Sequence, residues 1–76
     1  KIYPNPTSDK AVLEFEGLND DANVSVVDLL GRVIKEYKIN KQDSNIEIDV
    51  KGFAKGVYNV ILRNDKMNIT KKLIVR

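Results

Sequence analysis

The chain has 76 residues, of which 42% are hydrophobic and 32% are charged, and its formal net charge is +2. A chain of this size forms one small domain, and its balanced composition argues against disorder, a membrane span and a nucleic-acid-binding surface. It contains no cysteine and no histidine, which removes the thiolate and imidazole groups used by common zinc sites and many nucleophilic enzymes. We therefore expect a non-enzymatic domain without a cofactor or a metal.

The first part of the chain predicts an extended lead-in followed by a strand. Residues 1–9 contain Pro4 and Pro6, which cannot donate to a β-ladder and which favour extended backbone in the residue before them. Residues 11–16 then alternate between apolar and polar side chains, as a half-buried strand does. Residues 17–23 are rich in Asn and Asp, whose side chains bond to nearby backbone and favour turns.

The middle of the chain predicts a β-hairpin. The valine-rich segment 24–28 precedes a short connection that contains Gly31, and alternation resumes over residues 33–39. We expect Asp28 to open the turn and Gly31 to take a positive φ angle. A helix over residues 29–37 also fits the apolar spacing, but the β-branched content and the glycine favour strands.

The last part of the chain predicts three more strands. Residues 45–50 alternate strictly, residues 57–62 restart the pattern after a loop bracketed by glycines, and residues 69–76 follow a polar turn. Six strands are therefore readable, and the lead-in around residues 2–3 can supply a seventh. Short strands at regular spacing predict an all-β fold, as an antiparallel sandwich or barrel.

Four motifs, in their order and spacing, resemble one protein family. They are Tyr3-Pro4-Asn5-Pro6-Thr7, Asp28-Leu29-Leu30-Gly31-Arg32, Lys55-Gly56-Val57-Tyr58 and Lys71-Lys72-Leu73-Ile74-Val75-Arg76. With the length of the chain, they resemble the type A C-terminal sorting domain of type IX secretion cargo. The segment before Gly56 departs mildly from the family pattern, because it reads Phe53-Ala54-Lys55 where a Leu with Ser or Thr is more typical.

The resemblance implies a small antiparallel immunoglobulin-like β-sandwich of about seven strands that acts as an address and not as a catalyst. Residues 1–76 would then be the C-terminal sorting domain of a longer secreted protein. The implied route runs through the periplasm and an outer-membrane translocon to the cell surface or the medium. The implied partners are the type IX translocon, an outer-membrane shuttle protein and a surface sortase that removes the domain.

Each motif also has a purely structural explanation. Residues 4–6 can form a rigid lead-in that ends the first strand. Asp28 and Arg32 can pair across a turn, and Tyr58 can bury its ring while its hydroxyl bonds to backbone. For function, we expect the terminal strand 71–76 to matter most. It can be an edge strand, protected by its basic side chains, which a secretion component reads through an added strand or through charge.

An accessory carbohydrate-binding or structural sandwich is the alternative function. Such modules present rows of exposed aromatic rings to sugars, whereas this chain has no Trp, and most of its three Tyr and two Phe residues are expected inside. Asp20 and Asp21 fit a solvated turn better than a calcium site, because the full ligand spacing is missing. The predicted edge strand leaves open a monomer or a dimer formed by strand exchange.

Overall fold

The computed structural model describes residues 1–76 as seven β-strands in two antiparallel sheets. The strands are β1 (Ile2–Tyr3), β2 (Lys10–Glu14), β3 (Ala22–Val27), β4 (Val33–Ile39), β5 (Asn45–Asp49), β6 (Gly56–Arg63) and β7 (Asn68–Val75). The smaller sheet has the order β1-β2-β5, and the larger sheet has the order β4-β3-β6-β7. No helix long and apolar enough to cross a membrane is present. The predicted all-β sandwich is confirmed.

All the predicted strands are present, including the short one in the lead-in, but several of their ends differ. β4 has the bounds predicted from its alternation. β3 begins at Ala22, earlier than predicted, because Ala22 pairs with Ile39 of β4. β2 ends at Glu14, and Phe15 instead donates its N–H to the carbonyl of Ser44 at 3.0 Å. The alternative helix over residues 29–37 does not form.

The two sheets pack face to face over a core of 13 buried hydrophobic residues. Successive side chains of a strand point to opposite faces, so alternate residues of each sheet enter the space between them. The core residues are Ala11, Leu13, Ala22, Val24, Val26, Ile39, Ile48, Val50, Tyr58, Val60, Leu62, Leu73 and Val75. Both sheets therefore contribute to a single core, and its residues come from six of the seven strands and the residue after β5.

The order of the strands is consistent with an immunoglobulin-like sandwich. The chain crosses between the sheets after β2, after β4 and after β5, while β3–β4 and β6–β7 are hairpins within the larger sheet. Such crossings are typical of Greek-key sandwiches. As a result, β4 and β7 form the two edges of the larger sheet.

Val33 departs from the burial expected along β4. The alternation predicts Val33 on the same side as Tyr37 and Ile39, yet Val33 is 55% exposed and Ile39 is only 2% exposed. Val27 of the partner strand pairs with Val33 and Val26 pairs with Lys35, so Ile34 is an extra residue in β4 with no pairing residue in β3. Such a bulge bends and twists the strand locally, so the start of β4 is left uncovered.

Replacing Leu73 by Ala tests the position of the core. Leu73 is 0% exposed, whereas Ile69 of the same strand is 37% exposed. Leu73→Ala leaves a cavity and should lower the free energy of unfolding by about 2–5 kcal/mol. Ile69→Ala, the matched control, should change it by less than about 1 kcal/mol. Urea unfolding followed by circular dichroism measures both values, and equal losses would contradict the assignment of the core.

Candidate recognition surface

Part of each of the four sequence motifs lies at one end of the sandwich. In the larger sheet, Val27 at the end of β3 pairs with Asn59 of β6, and Gly56 at the start of β6 pairs with Val75 of β7. The turn after β3, the loop before β6 and the end of β7 therefore point the same way. Thr7 forms a bridge with Val75, which brings the lead-in to the same place. We call this end, formed by residues 4–9, 28–32, 50–56 and 74–76, the motif end.

The side chain of Asn5 joins the lead-in to the terminal strand. Its Nδ2 donates to the carbonyl of Lys72 at 2.8 Å, and its Oδ1 accepts from the N–H of Ile74 at 2.8 Å. The carboxamide thereby presents one donor and one acceptor to the edge of β7, as the N–H and C=O of a neighbouring strand would. Pro4 and Pro6 have no N–H, so the Asn5 side chain supplies pairing that the flanking residues cannot.

Thr7 continues this pairing with its backbone. Its N–H donates to the carbonyl of Ile74, and its carbonyl accepts from the N–H of Arg76, both at 2.9 Å. The Thr7 side chain is buried, and its hydroxyl donates to the carbonyl of Lys10 at 2.7 Å and accepts from the N–H of Asp9 at 3.2 Å. Thr7 therefore fixes the lead-in against both β7 and the start of β2.

Only the N-terminal half of the outer edge of β7 has unpaired backbone groups. The sequence, in contrast, predicts an edge protected by charged side chains alone. Alternate residues of an antiparallel strand direct their backbone groups away from the partner strand. The lead-in pairs with such groups on Lys72, Ile74 and Arg76. The outward groups of Thr70, nearer the start of β7, have no partner strand. Pairing, and not charge alone, thus protects the C-terminal half of this edge.

Asp28 organises the turn at the motif end. Its Oδ1 accepts from the N–H groups of Arg32 and Leu30, each at 2.9 Å, and its Oδ2 accepts from Nε of Arg32 at 2.7 Å. The N–H of Gly31 donates to the Asp28 carbonyl at 3.0 Å, and Gly31 has a φ of +84°. The hydrogen bonds, led by that of the Arg32 backbone, hold the pKa of Asp28 below its ordinary value. The predicted turn and ion pair are confirmed.

The third motif shapes the loop that precedes β6. The ring of Tyr58 is buried and packs against Phe53 with 5.5 Å between ring centroids. Its hydroxyl donates to the carbonyl of Ala54, which confirms the prediction of a core ring with a backbone partner. Gly56 has a φ of +152°, and Lys55 is exposed. Within this motif, Lys55 is thus the side chain most available to a partner.

The last motif divides its side chains between the core and the surface. Leu73 is 0% exposed and Val75 is 4% exposed, so the folded domain does not present them to a partner. Lys71, Lys72 and Arg76 are exposed. Because a strand alternates between two faces, one segment both completes the core and displays charge.

The motif end also lies apart from the concave parts of the molecule. A groove of about 660 Å³ opens between the sheets and is lined by residues that include Leu13, Phe15 and Ile69. Lys71 is its only residue from the four motifs. A second, smaller depression near Asp21 contains none of them. The exposed charged and apolar groups of the motif residues therefore lie almost entirely outside these two depressions.

Three residues of this surface lie within the sequence motifs but received no role of their own. Thr7 was expected only as part of a turn, and Leu29 and Leu30 only as part of a connection. The two leucines could have been noticed in the sequence, because they occupy a tight turn, where Gly, Asn, Asp and Ser are the usual residues. The sequence indicates the pairing by Asn5 only weakly. Its amide side chain lies between Pro4 and Pro6, which both lack an N–H.

A small β-sandwich that displays its distinctive residues on one rigid surface has the features of a domain recognised by other proteins. The chain belongs to the family described as the secretion system C-terminal sorting domain, which matches residues 1–76. This match confirms the resemblance to type IX sorting domains. The domain is thus a sorting signal that interacts with the secretion system for export to the cell surface or the extracellular space. A comparison with curated proteins finds no match.

Replacing Asn5 by Ala should release the lead-in from β7. A hydrogen bond contributes about 0.5–1.5 kcal/mol, so the loss of two should lower the free energy of unfolding by about 1–3 kcal/mol. Hydrogen exchange at the Ile74 amide, measured by NMR, should become faster. Asn45→Ala is the control, since its Nδ2 makes only a 3.5 Å contact with Ser44. Unchanged exchange at Ile74 would show that Asn5 does not protect this edge.

The pKa of Asp28 predicts how stability depends on pH. Because folding lowers this pKa, the ionised carboxylate stabilises the folded state above the unfolded-state pKa of about 4. The stabilisation is lost as the pH falls through the lower folded-state value. The difference in urea midpoint between the wild type and Asp28→Ala should therefore shrink below about pH 4. Asp65→Ala, in the exposed turn after β6, is the control; a pH-independent difference for Asp28→Ala contradicts this role.

Proposed function

We propose that this domain directs attached cargo across the outer membrane by presenting its motif end to a component of the type IX machinery. The observation that carries the proposal is the convergence of four motifs, separated along the whole chain, at one end of the fold. A non-catalytic role is part of the proposal. It agrees with the family and with the position of the motif residues, of which only Lys71 lines the groove between the sheets.

Outward-facing side chains carry this recognition. At the C-terminal half of β7 the backbone edge is already paired with the lead-in, so a partner reads Lys72 and Arg76 through their charges. Lys55 is exposed at the same end and adds to the positive charge. Asp28 and Arg32 form an ion pair, so their charges offset each other. An acidic surface on the secretion component fits this arrangement.

The attached cargo leaves the domain at the opposite end. Lys1 and Glu14 exchange backbone hydrogen bonds of 3.1 Å and 2.7 Å. Glu14 ends β2, whereas Lys10 begins it at the motif end. The longest dimension of the domain is 34 Å. With the motif end held by the machinery, the linker before Lys1 stays accessible to a surface sortase, which removes the domain.

The alternative role in carbohydrate binding has less support. The ring of Tyr58 is buried, and those of Phe15, Tyr37 and Phe53 are partly buried against the core. Tyr3 is 39% exposed, and its hydroxyl donates to Glu14 at 3.0 Å. One exposed ring does not make the row of stacking platforms on which sugar-binding modules depend.

Fusion of the domain to a periplasmic reporter, in a host with a type IX system, tests the proposal. The wild-type domain should send the reporter to the medium or the cell surface. Lys72→Glu combined with Arg76→Glu should reduce export about tenfold, which corresponds to about 1.4 kcal/mol of binding free energy. Deletion of residues 71–76 is a poor substitute, because it also removes Leu73 and Val75 from the core.

A charge-matched control separates the surface from net charge. Lys38→Glu with Lys41→Glu makes the same change at exposed positions near the other end of the domain, and this variant should be exported normally. Circular dichroism confirms that both variants fold. If the wild-type fusion is not exported, the proposed function is wrong. Normal export of the folded Lys72 and Arg76 variant would refute only the assignment of the surface.

A further inference from the structure

The β3–β4 hairpin carries most of the large exposed hydrophobic side chains of the domain. Leu29 is 70% exposed, Leu30 is 80%, Val33 is 55% and Ile34 is 42%. We call these four residues, in the turn and the first two positions of β4, the hairpin patch. Single exposed hydrophobic residues are ordinary, whereas a contiguous group marks an interaction site.

The turn holds the two leucines in a fixed conformation. Asp28 bonds to the backbone at Leu30 and Arg32 and to the Arg32 side chain, and its own N–H donates to the Arg32 carbonyl at 3.0 Å. None of these bonds involves a leucine side chain, so the turn itself does not require leucine. A rigid turn also loses little conformational entropy when a partner covers it.

An unpaired strand edge adjoins the patch. β4 is the edge of the larger sheet, and β3 is its only partner strand. Charged side chains at Lys35, Glu36 and Lys38 protect the rest of this edge, as is usual for edge strands. At Val33 and Ile34 the side chains are apolar, and Ile34 is the extra residue of the β4 bulge, which has no pairing residue in β3. Unpaired N–H and C=O groups beside apolar side chains are the two features that an added strand requires.

We propose that the hairpin patch docks an extended apolar segment of a protein component of the secretion machinery. The segment pairs with the β4 edge at Val33 and Ile34, and its side chains cover Leu29 and Leu30. Arg32 lies beside the patch with 72% of its side chain exposed, and only its Nε bonds to Asp28. Its two other guanidinium nitrogens can therefore donate to acidic side chains next to the apolar segment. This inference rests on the proposed function and names the chemistry of a partner at the same motif end.

A polypeptide fits this surface better than a lipid does. Insertion of the hairpin into a bilayer would bring the unpaired backbone groups of the β4 edge into hydrocarbon, where each has a cost of several kcal/mol. An added strand pairs with these groups while it covers the apolar side chains. The unpaired backbone groups of the β4 edge therefore favour a polypeptide over a lipid as the partner.

Replacing both leucines by serine tests the patch in the reporter fusion. Leu29→Ser with Leu30→Ser leaves the bonds of Asp28 in place, so the urea midpoint should not fall, while export should drop at least tenfold. Ile69→Ser is the matched control, because Ile69 is an exposed apolar residue on the other edge strand, away from the motif end. It should be exported normally. If the wild type is exported and the folded double variant is exported equally well, the inference fails while the proposed function stands.

Crosslinking identifies what covers the patch. A photoreactive phenylalanine in place of Leu30 should crosslink the fusion to a translocon or shuttle component in exporting cells, and the same group in place of Ile69 should not. Crosslinks formed only between copies of the domain would overturn the proposal in favour of self-association. Binding of the purified domain to phosphatidylethanolamine and phosphatidylglycerol vesicles, lost in the serine variant, would overturn it in favour of a lipid surface.

Discussion

The pairing of the lead-in with β7 is the interaction on which the recognition surface depends. The lead-in begins in the smaller sheet, where β1 pairs with β2, and then crosses to the larger sheet, where Asn5 and Thr7 bond to the end of β7. It thus forms one edge of the smaller sheet and pairs with an edge strand of the larger sheet. Without it, β6 alone would pair with the terminal strand, and the first and last motifs would not share a surface.

The strands were predictable because their signal is local, whereas their ends depend on distant partners. Residues 45–50 alternate between polar and apolar side chains, and this pattern does not depend on the rest of the fold. The earlier start of β3 depends on the pairing of Ala22 with Ile39. The exposure of Val33 depends on a bulge in β4, where Ile34 has no pairing residue in β3. The alternation along one strand does not show which of its residues the partner strand leaves unpaired.

The candidate site was predictable as a set of motifs but not as a surface. Sequence order and spacing identified the family, and the family match agrees. Their convergence depends on two registers, Val27 with Asn59 and Gly56 with Val75, and a shift in either would move a motif away from the others. The role of Asn5 depends on the same geometry, because its carboxamide bonds to residues more than 60 positions away.

The same dependence on register links recognition to folding. Lys72 and Arg76 occupy fixed positions because Leu73 and Val75 are buried between and beside them and because the lead-in pairs with that edge. Arg32 is held by Asp28 in a turn that forms where β3 and β4 pair. In an unfolded chain Arg32 is 40 residues away from Lys72 along the sequence, and the three groups share no surface. A component that contacts several of these charged groups at once therefore binds the folded domain and discriminates against the unfolded chain. It does so although the folded and unfolded chains contain the same residues.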